Sequence, residues 1–425
     1  MQRWKLALIF AALIIIGIAE ILYGISTSVS PIHIEDSDHP PLEKRWQQQP
    51  VIDPLLSPKD SFGACLMMKE DNDLLYEWIA FHYISLPLRY LFVGSDFGNA
   101  QNPWSVLNRW KDTDLTYWVI NATNFAHRHG STPTWGLDEN PDHHGFLHRQ
   151  RGFITVCSEF MKAQNMTWVT YHDSDEFIVP NYISPDENVF SQKTKTSNST
   201  DNVPFAMRDR LTGAKTLLEV IRNVNQIHVL KPCYSIPRVL FGSLENTTCP
   251  EADEVTELAK RDYAYHQMST LRFKQRASKG DFKTGRFGKV IVDLSRLNNV
   301  SIPPKNVHRP FKPECDYPAP AIQTSLFYIN HYVGSWTRYS SRLDGRRSCE
   351  EWMTRAFLDK GNSCEQRIHE WLPKFIQKMG TGKAKYLLGA NLAERSTFTP
   401  NLGKQCPPVT PNVIKVVDYN GSRPP

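Results

Sequence analysis

Trp168-Val169-Thr170-Tyr171-His172-Asp173-Ser174-Asp175-Glu176-Phe177-Ile178-Val179 sets two short, apolar, β-prone runs on either side of three carboxylates. A buried strand that ends in Asp-x-Asp delivers two acids to the edge of a sheet. Neighbouring acids are costly unless positive charge stands between them. Mg2+ or Mn2+ meets that need, because a hard divalent cation prefers carboxylate oxygens and keeps open positions for substrate phosphates. One reading of Asp173 and Asp175 is therefore a metal–diphosphate site. The other is that Asp173, Asp175 and Glu176 form an acidic turn between strands, and so short a motif is compatible with both.

The chain around this stretch alternates between strand and helix patterns. Phe62 to Met68 is an apolar run and a predicted strand. Asn72 to Ser85 carries Leu75, Trp78, Ile79 and His82 at helical spacing, closed by Pro87. Arg89 to Val93 and Leu115 to Ile120 read as further strands, and Arg151 to Lys162 as a helix leading into Trp168–Tyr171. This β-α-β order predicts a mixed, mainly parallel sheet flanked by helices. Ligands of such sheets lie beyond the carboxyl ends of the strands. Asp96 and Asp173/Asp175 fall at those ends, with Lys69-Glu70-Asp71 after the first strand. Glu70 and Asp96 are thus candidates for polar contacts to a nucleotide, although Asp96 by itself reads as a turn residue in Ser95-Asp96-Phe97-Gly98.

Outside this region the chain divides by composition. Its 425 residues are 40% hydrophobic, enough for one large folded domain or two smaller ones. A net charge of +5 is mild for this length and argues against a dedicated nucleic-acid binder, and no basic block resembles a nucleic-acid motif. Leu6 to Ile25 is apolar except for Glu20, and Arg3 and Lys5 precede it. That length suits a membrane-crossing helix, and the positive flank keeps residues 1–5 cytoplasmic. A cleaved signal peptide is the competing reading. The expectation is an uncleaved signal anchor over 6–25, a Pro-rich stem over 26–58, a catalytic domain over 59–399 and a Pro-rich tail over 400–425. Residues 184–204 read as a flexible surface insertion.

Two features agree with an exocytoplasmic domain. Asn-x-Ser/Thr acceptors stand at Asn121, Asn165, Asn198, Asn246, Asn299 and Asn420. The eight cysteines suit an oxidising lumen, with Cys233–Cys249 and Cys349–Cys364 as short-loop pairs. Cys65 and Cys157, in apolar runs, read as free buried thiols.

Lys69-Glu70-Asp71-Asn72-Asp73-Leu74-Leu75-Tyr76-Glu77-Trp78-Ile79-Ala80-Phe81-His82-Tyr83 resembles the opening motif of glycosyltransferase family 92 and related GT-A glycosyltransferases. Further similarities follow in order: Gln150-Arg151 before a helix with Cys157, then His172-Asp173-Ser174-Asp175-Glu176-Phe177-Ile178. Gly288-Lys289-Val290-Ile291-Val292, Val307-His308 and Asn330-His331-Tyr332 come after them. The resemblance covers roughly residues 62 to 350. It implies a GT-A-like fold in a single-pass type II Golgi membrane protein. The implied reaction moves a hexose, such as galactose, from a UDP-linked nucleotide sugar to a glycan or glycoprotein acceptor, with Mn2+. Asp173 and Asp175 would hold the metal, with His331 as a late ligand or diphosphate contact. The chain departs from the family at Ser85-Leu86-Pro87-Leu88, at Leu91-Phe92-Val93-Gly94 and in its arginine-rich block from Gly334 to Arg347.

Sugar transfer needs a Lewis acid at the leaving diphosphate, a base for the acceptor hydroxyl if the anomeric centre inverts, and a site that excludes water. Asp281, Glu314 and Asp316 lie in suitable loops for the base; Glu314 and Asp316, between the His308 and His331 motifs, are preferred. Lys289 or Arg338 would neutralise phosphate charge. Trp336 and Tyr339 suit either sugar stacking or packing. Glu77 and His82 read as packing residues of the first helix. His127, His129, His143, His144 and His148 form a dense cluster without regular ligand spacing, which reads as a loop. Two other function classes stay open: a non-catalytic glycan-binding protein of GT-A shape, and a zinc-dependent lumenal hydrolase built on those histidines.

Overall fold

A computed structural model describes residues 61–125, 143–181, 217–225, 231–242, 254–263, 265–276, 288–301, 325–341 and 367–390, with shorter pieces between them. The segment 6–25, the stem, the 184–204 insertion, the 400–425 tail, His127, His129, Asp281 and Asp316 lie outside the described residues. Among the described residues no helix is long and apolar enough to cross a membrane.

The large sheet grows outward from β1 (Phe62–Met68), through β2 (Leu88–Ser95), to β3 (Thr116–Asn121), all parallel. The chain then returns through a long helix and lays β4 (Trp168–Tyr171) on the other side of β1, again parallel. Two strands complete this sheet: β8 (Lys289–Asp293), antiparallel to β4, and β6 (Cys233–Ile236), antiparallel to β8. The order is β3-β2-β1-β4-β8-β6. A mixed α/β fold with a mostly parallel sheet is thus what the alternation in the sequence predicted. A second sheet joins β5 (Glu176–Pro180), β9 (Phe327–Tyr332) and β7 (Arg238–Phe241) in the order β5-β9-β7.

The residues of β1 explain how the sheet is covered. Its even-numbered side chains, Phe62, Ala64, Leu66 and Met68, join the main core with α1 (Asn72–Ser85). Its odd positions face α2 (His143–Ala163), where Cys65 is bonded to Cys157 and Gly63 lies beside Met161. That is the period-two alternation of a strand buried on both faces. Helix α1 is buried from Leu74 to Tyr83, because β2, β5 and a later helix α3 (Trp371–Met379) all pack on it. An all-round apolar helix is stable only as such a core element. Between α2 and β2 the approach is close: a Cβ at Gly94 would lie 2.5 Å from the Phe153 ring.

The cysteine expectations need correction. Cys65 and Cys157 are not free thiols but a disulfide that staples α2 to β1. Cys233 pairs with Cys315 rather than with Cys249. Sequence proximity favoured the short loop, yet the fold brings Cys315 to β6, with Cα atoms 5.2 Å apart. Cys349 and Cys364 are also disulfide-bonded. Helix α2 starts at His143, so His143, His144 and His148 lie on its first turns and not in a loop.

Candidate active site

The strand order reverses between β1 and β4. An α/β sheet binds ligands beyond the carboxyl ends of its strands at such a switch point. There β4 ends at Tyr171 and the chain turns through His172-Asp173-Ser174-Asp175 into β5. The turn is closed by Glu176 N–H donating to the Asp173 carbonyl (3.1 Å), and by Asp173 N–H donating to Glu176 Oε2 (3.0 Å). Trp78 Nε1–H donates to that same Asp173 carbonyl (3.2 Å), and Tyr332 N–H donates to the Asp175 carbonyl (3.0 Å). The acids are therefore both an acidic turn and a rigid one, held by α1 and β9.

Positive charge comes from elsewhere in the chain. Lys289, 3% exposed at the start of β8, places its ammonium 2.8 Å from Asp173 Oδ2 and 3.4 Å from Glu176 Oε2. Arg238 of β7 donates to Glu176 Oε1 at 2.9 Å. Desolvation and the nearby Asp175 would raise the Asp173 carboxyl, but the Lys289 charge outweighs both and holds it at about 2. Burial lowers Lys289, yet Asp173 and Glu176 keep its pKa above the ordinary lysine value. Lys289 is thus a buried clamp on the acids rather than a residue extended toward phosphate. It is brought there through Gly288, where a Cβ would lie 1.8 Å from the Ile236 carbonyl oxygen.

The Asp173 side chain is 42% exposed and its Oδ1 stands 3.4 Å from Gln150 Nε2. His331, paired with Glu176 across the second sheet, has Nε2 at 3.7 Å from Asp175 Oδ2, beyond hydrogen-bond length. Its Nδ1 is buried with no hydrogen-bond partner, an arrangement that calls for an explanation. Carboxylate oxygens and an imidazole nitrogen are ligand types that a divalent cation such as Mn2+ accepts, although the described residues gather no group of three acids or histidines into a metal site.

The other acids of this edge serve the framework. Asp71 accepts from Ser174 Oγ and from Arg338 Nη2, each at 2.6 Å, while Arg338 Nη1 lies 3.5 Å from Asp73. Arg338 therefore ties the chain after β9 to the β1–α1 loop, and reaches a phosphate only by leaving Asp71. Asp96 is buried and takes a two-pronged ion pair from Arg149, with Arg149 Nη2 at 2.9 Å from Oδ2. Each of its oxygens is engaged by Arg149, which gives Asp96 a structural role at this edge. Glu70 adopts φ +56° and accepts from Ala100 N–H, which anchors the loop after β2.

Beneath the turn lie two fully buried imidazoles. Ile178 N–H points at His82 Nε2 (3.3 Å), so His82 carries its proton on Nδ1 and donates it to the Trp78 carbonyl (2.9 Å). His172 Nε2–H donates to His82 Nε2 (3.2 Å), and its Nδ1 accepts from Thr170 Oγ1 (3.1 Å). Both rings are neutral. Burial, followed by the Lys289 charge, lowers His172 to about 3, and burial followed by its neighbour His172 depresses His82. The spacing of Trp78 and His82 on α1 was the only trace of this network in the sequence.

Glu77 sends its carboxylate away from the site, accepting from Ser269 N–H, Thr270 N–H and Thr270 Oγ1 at 2.7, 3.0 and 2.6 Å. Burial pushes its pKa up to about 7. Tyr339 packs in the interior, 1% exposed. Glu314 is half-buried beside Cys315, whose disulfide holds it at the amino end of β6. No contact among the described residues joins Glu314 to the acids, and Asp316 lies outside the described residues. Arg238 and Arg149 were not singled out from sequence, and Asp71 and Gln150 were quoted there without these contacts, because each acquires its role only through a partner distant in the chain.

No protein-family model matches this sequence, and no curated protein is significantly similar to it.

Proposed function

We propose that the chain is a metal-dependent glycosyltransferase of the GT-A kind, allied to glycosyltransferase family 92. It transfers a hexose from a nucleotide sugar, such as UDP-galactose, to a glycan or glycoprotein acceptor. The observation that carries the reading is the placement of Asp173 and Asp175 on a rigid turn at the β1/β4 switch point, beside His331, whose buried Nδ1 has no hydrogen-bond partner. Asp173, Asp175 and His331 would hold Mn2+. Bound there, the cation would supply Lewis-acid stabilisation to the departing diphosphate. Lys289 fixes the Asp173 carboxylate and keeps it ionised; Gln150 and the Trp78 indole hold the turn in register. The Arg338–Asp71–Ser174 chain steadies the loop, so that donor and acceptor meet a preformed surface. The disulfides support a lumenal domain, and the apolar run at 6–25 supports a Golgi type II anchor.

The test is hydrolysis and transfer by the full chain in detergent, over a panel of nucleotide sugars, with Mn2+ or a chelator. Turnover of one donor that requires Mn2+ and is lost in Asp175→Asn is expected. A folded protein that neither binds nor turns over any nucleotide sugar in the presence of metal would overturn the reading. Tight binding without turnover of any donor–acceptor pair would favour the glycan-binding class instead.

A further inference from the structure

Three of the Asn-x-Ser/Thr acceptors lie in described residues, and their places on the sheet differ. Asn121 ends β3, at the same edge as the acids. Asn165 stands in the turn before β4, and Asn299 follows the short helix after β8. Because β8 runs antiparallel to β4, the start of β4 and the end of β8 meet: Trp168 is paired with Asp293. Leu294 N–H donates to the Thr167 carbonyl (2.8 Å), and the Lys162 ammonium donates to the Leu297 carbonyl. Asn165 and Asn299 therefore share one end of the sheet. The acids occupy the other end, separated from them by the four residues of β4, roughly 13 Å of extended chain.

Both asparagines are exposed, whereas Met166 and Val300 beside them are buried. Each acceptor tripeptide is thus anchored by its middle residue and presents its asparagine to solvent. Asn165 has φ +57°, a left-handed conformation that asparagine adopts more readily than most residues. A bulky, solvated glycan is compatible only with a surface of this sort. The compartment is supported independently: the described cysteines are all disulfide-bonded, as in proteins folded in an oxidising lumen.

We infer that Asn165 and Asn299 carry N-linked glycans that together cover the end of the sheet opposite the acids. In the modification the side-chain nitrogen forms a bond to the anomeric carbon of an oligosaccharide. The bond from that carbon to a lipid-linked diphosphate breaks, the lipid diphosphate leaves, and the amide proton passes to a base of the transferring enzyme. The inference rests on the compartment and the surface, and does not depend on the chain's being a transferase.

The experiment is secretory expression of the full chain in eukaryotic cells, followed by peptide mass spectrometry after enzymatic deglycosylation in oxygen-18 water. Conversion of both Asn165 and Asn299 to labelled aspartate is expected. Thr167→Ala and Ser301→Ala should each abolish one label and remove one step in gel mobility. These variants keep both asparagines, and so avoid placing glutamine in the left-handed turn. Asn299→Gln, with no such backbone constraint, is the second check on the Asn299 label. Unmodified asparagine at either position in wild-type protein recovered from the secretory pathway overturns the paired covering. Recovery of unmodified, folded protein from the cytosol overturns the compartment on which it rests.

Discussion

Replacing Lys289 by methionine tests the electrostatic reasoning at the acids most directly. The substitution keeps the length of the side chain and removes its charge. Removing one member of a buried ion pair costs about 3–5 kcal/mol when the survivor is left wholly unpaired. Here the survivors are not. Glu176 keeps Arg238 at 2.9 Å and the Asp173 N–H at 3.0 Å, while Asp173 is 42% exposed and is taken up by water. The expected destabilisation is therefore below that range, about 2 kcal/mol, in urea denaturation of metal-free protein at pH 7. Asp173 contributes to stability above its ordinary pKa of 3.8, and that contribution is lost as pH falls through about 2. In Lys289→Met this acid limb moves to higher pH. A second readout has the opposite sign. One positive charge about 6 Å from a divalent cation opposes binding by about 1.4 kcal/mol even at the dielectric of water. Lys289→Met should therefore bind Mn2+ about tenfold more tightly, measured by calorimetry or by the loss of the free-ion spin-resonance signal. A variant as stable as wild type that binds Mn2+ no better would refute the clamp.

Other expectations follow from buried partners. Burial raises the Glu77 pKa from 4.5 to about 7, so its stabilising contribution is present below pH 4.5 and lost as pH rises through 7. The stability advantage of wild type over Glu77→Gln should thus shrink by about 3 kcal/mol across that window in paired denaturation curves, and a constant difference would contradict the assignment. Joint replacement of Cys65 and Cys157 by alanine opens a link across 92 residues and should lower stability by about 2–4 kcal/mol, with reductant no longer affecting that increment. Arg149→Met leaves Asp96 buried without its ion pair and should cost about 3–5 kcal/mol; an unchanged melting curve would show that the pair is dispensable.

The sheet was legible because its cause is local. Apolar runs such as Phe62–Met68 and the helical spacing of Leu75, Trp78, Ile79 and His82 repeat at the periods of strand and helix. Turn chemistry then puts acids at strand ends. Asp173 and Asp175 followed from that pattern, and so did the carboxyl edge on which they stand. The start of α2 was missed because His143 to Gln150 carry charge and imidazole where a helix periodicity would show apolar residues. The pairing of Cys233 was missed because loop-closure entropy favours near partners only slowly with length, while packing of Cys315 against β6 decides the contact.

The amino-acid sequence alone determined the parallel α/β core and the acidic turn after β4, since both arise from periodicity and from the residue types that end a strand. Only the tertiary structure decided which charges those acids meet. Lys289 at 116 residues from Asp173, and Arg238 at 62 from Glu176, are neighbours through an antiparallel strand and a second sheet. Asp96 passed in the same way from candidate ligand contact to partner of Arg149, and His331 came to stand beside Asp175. Coulomb and desolvation energies depend on distance in space and on burial, and neither is written in the order of the residues.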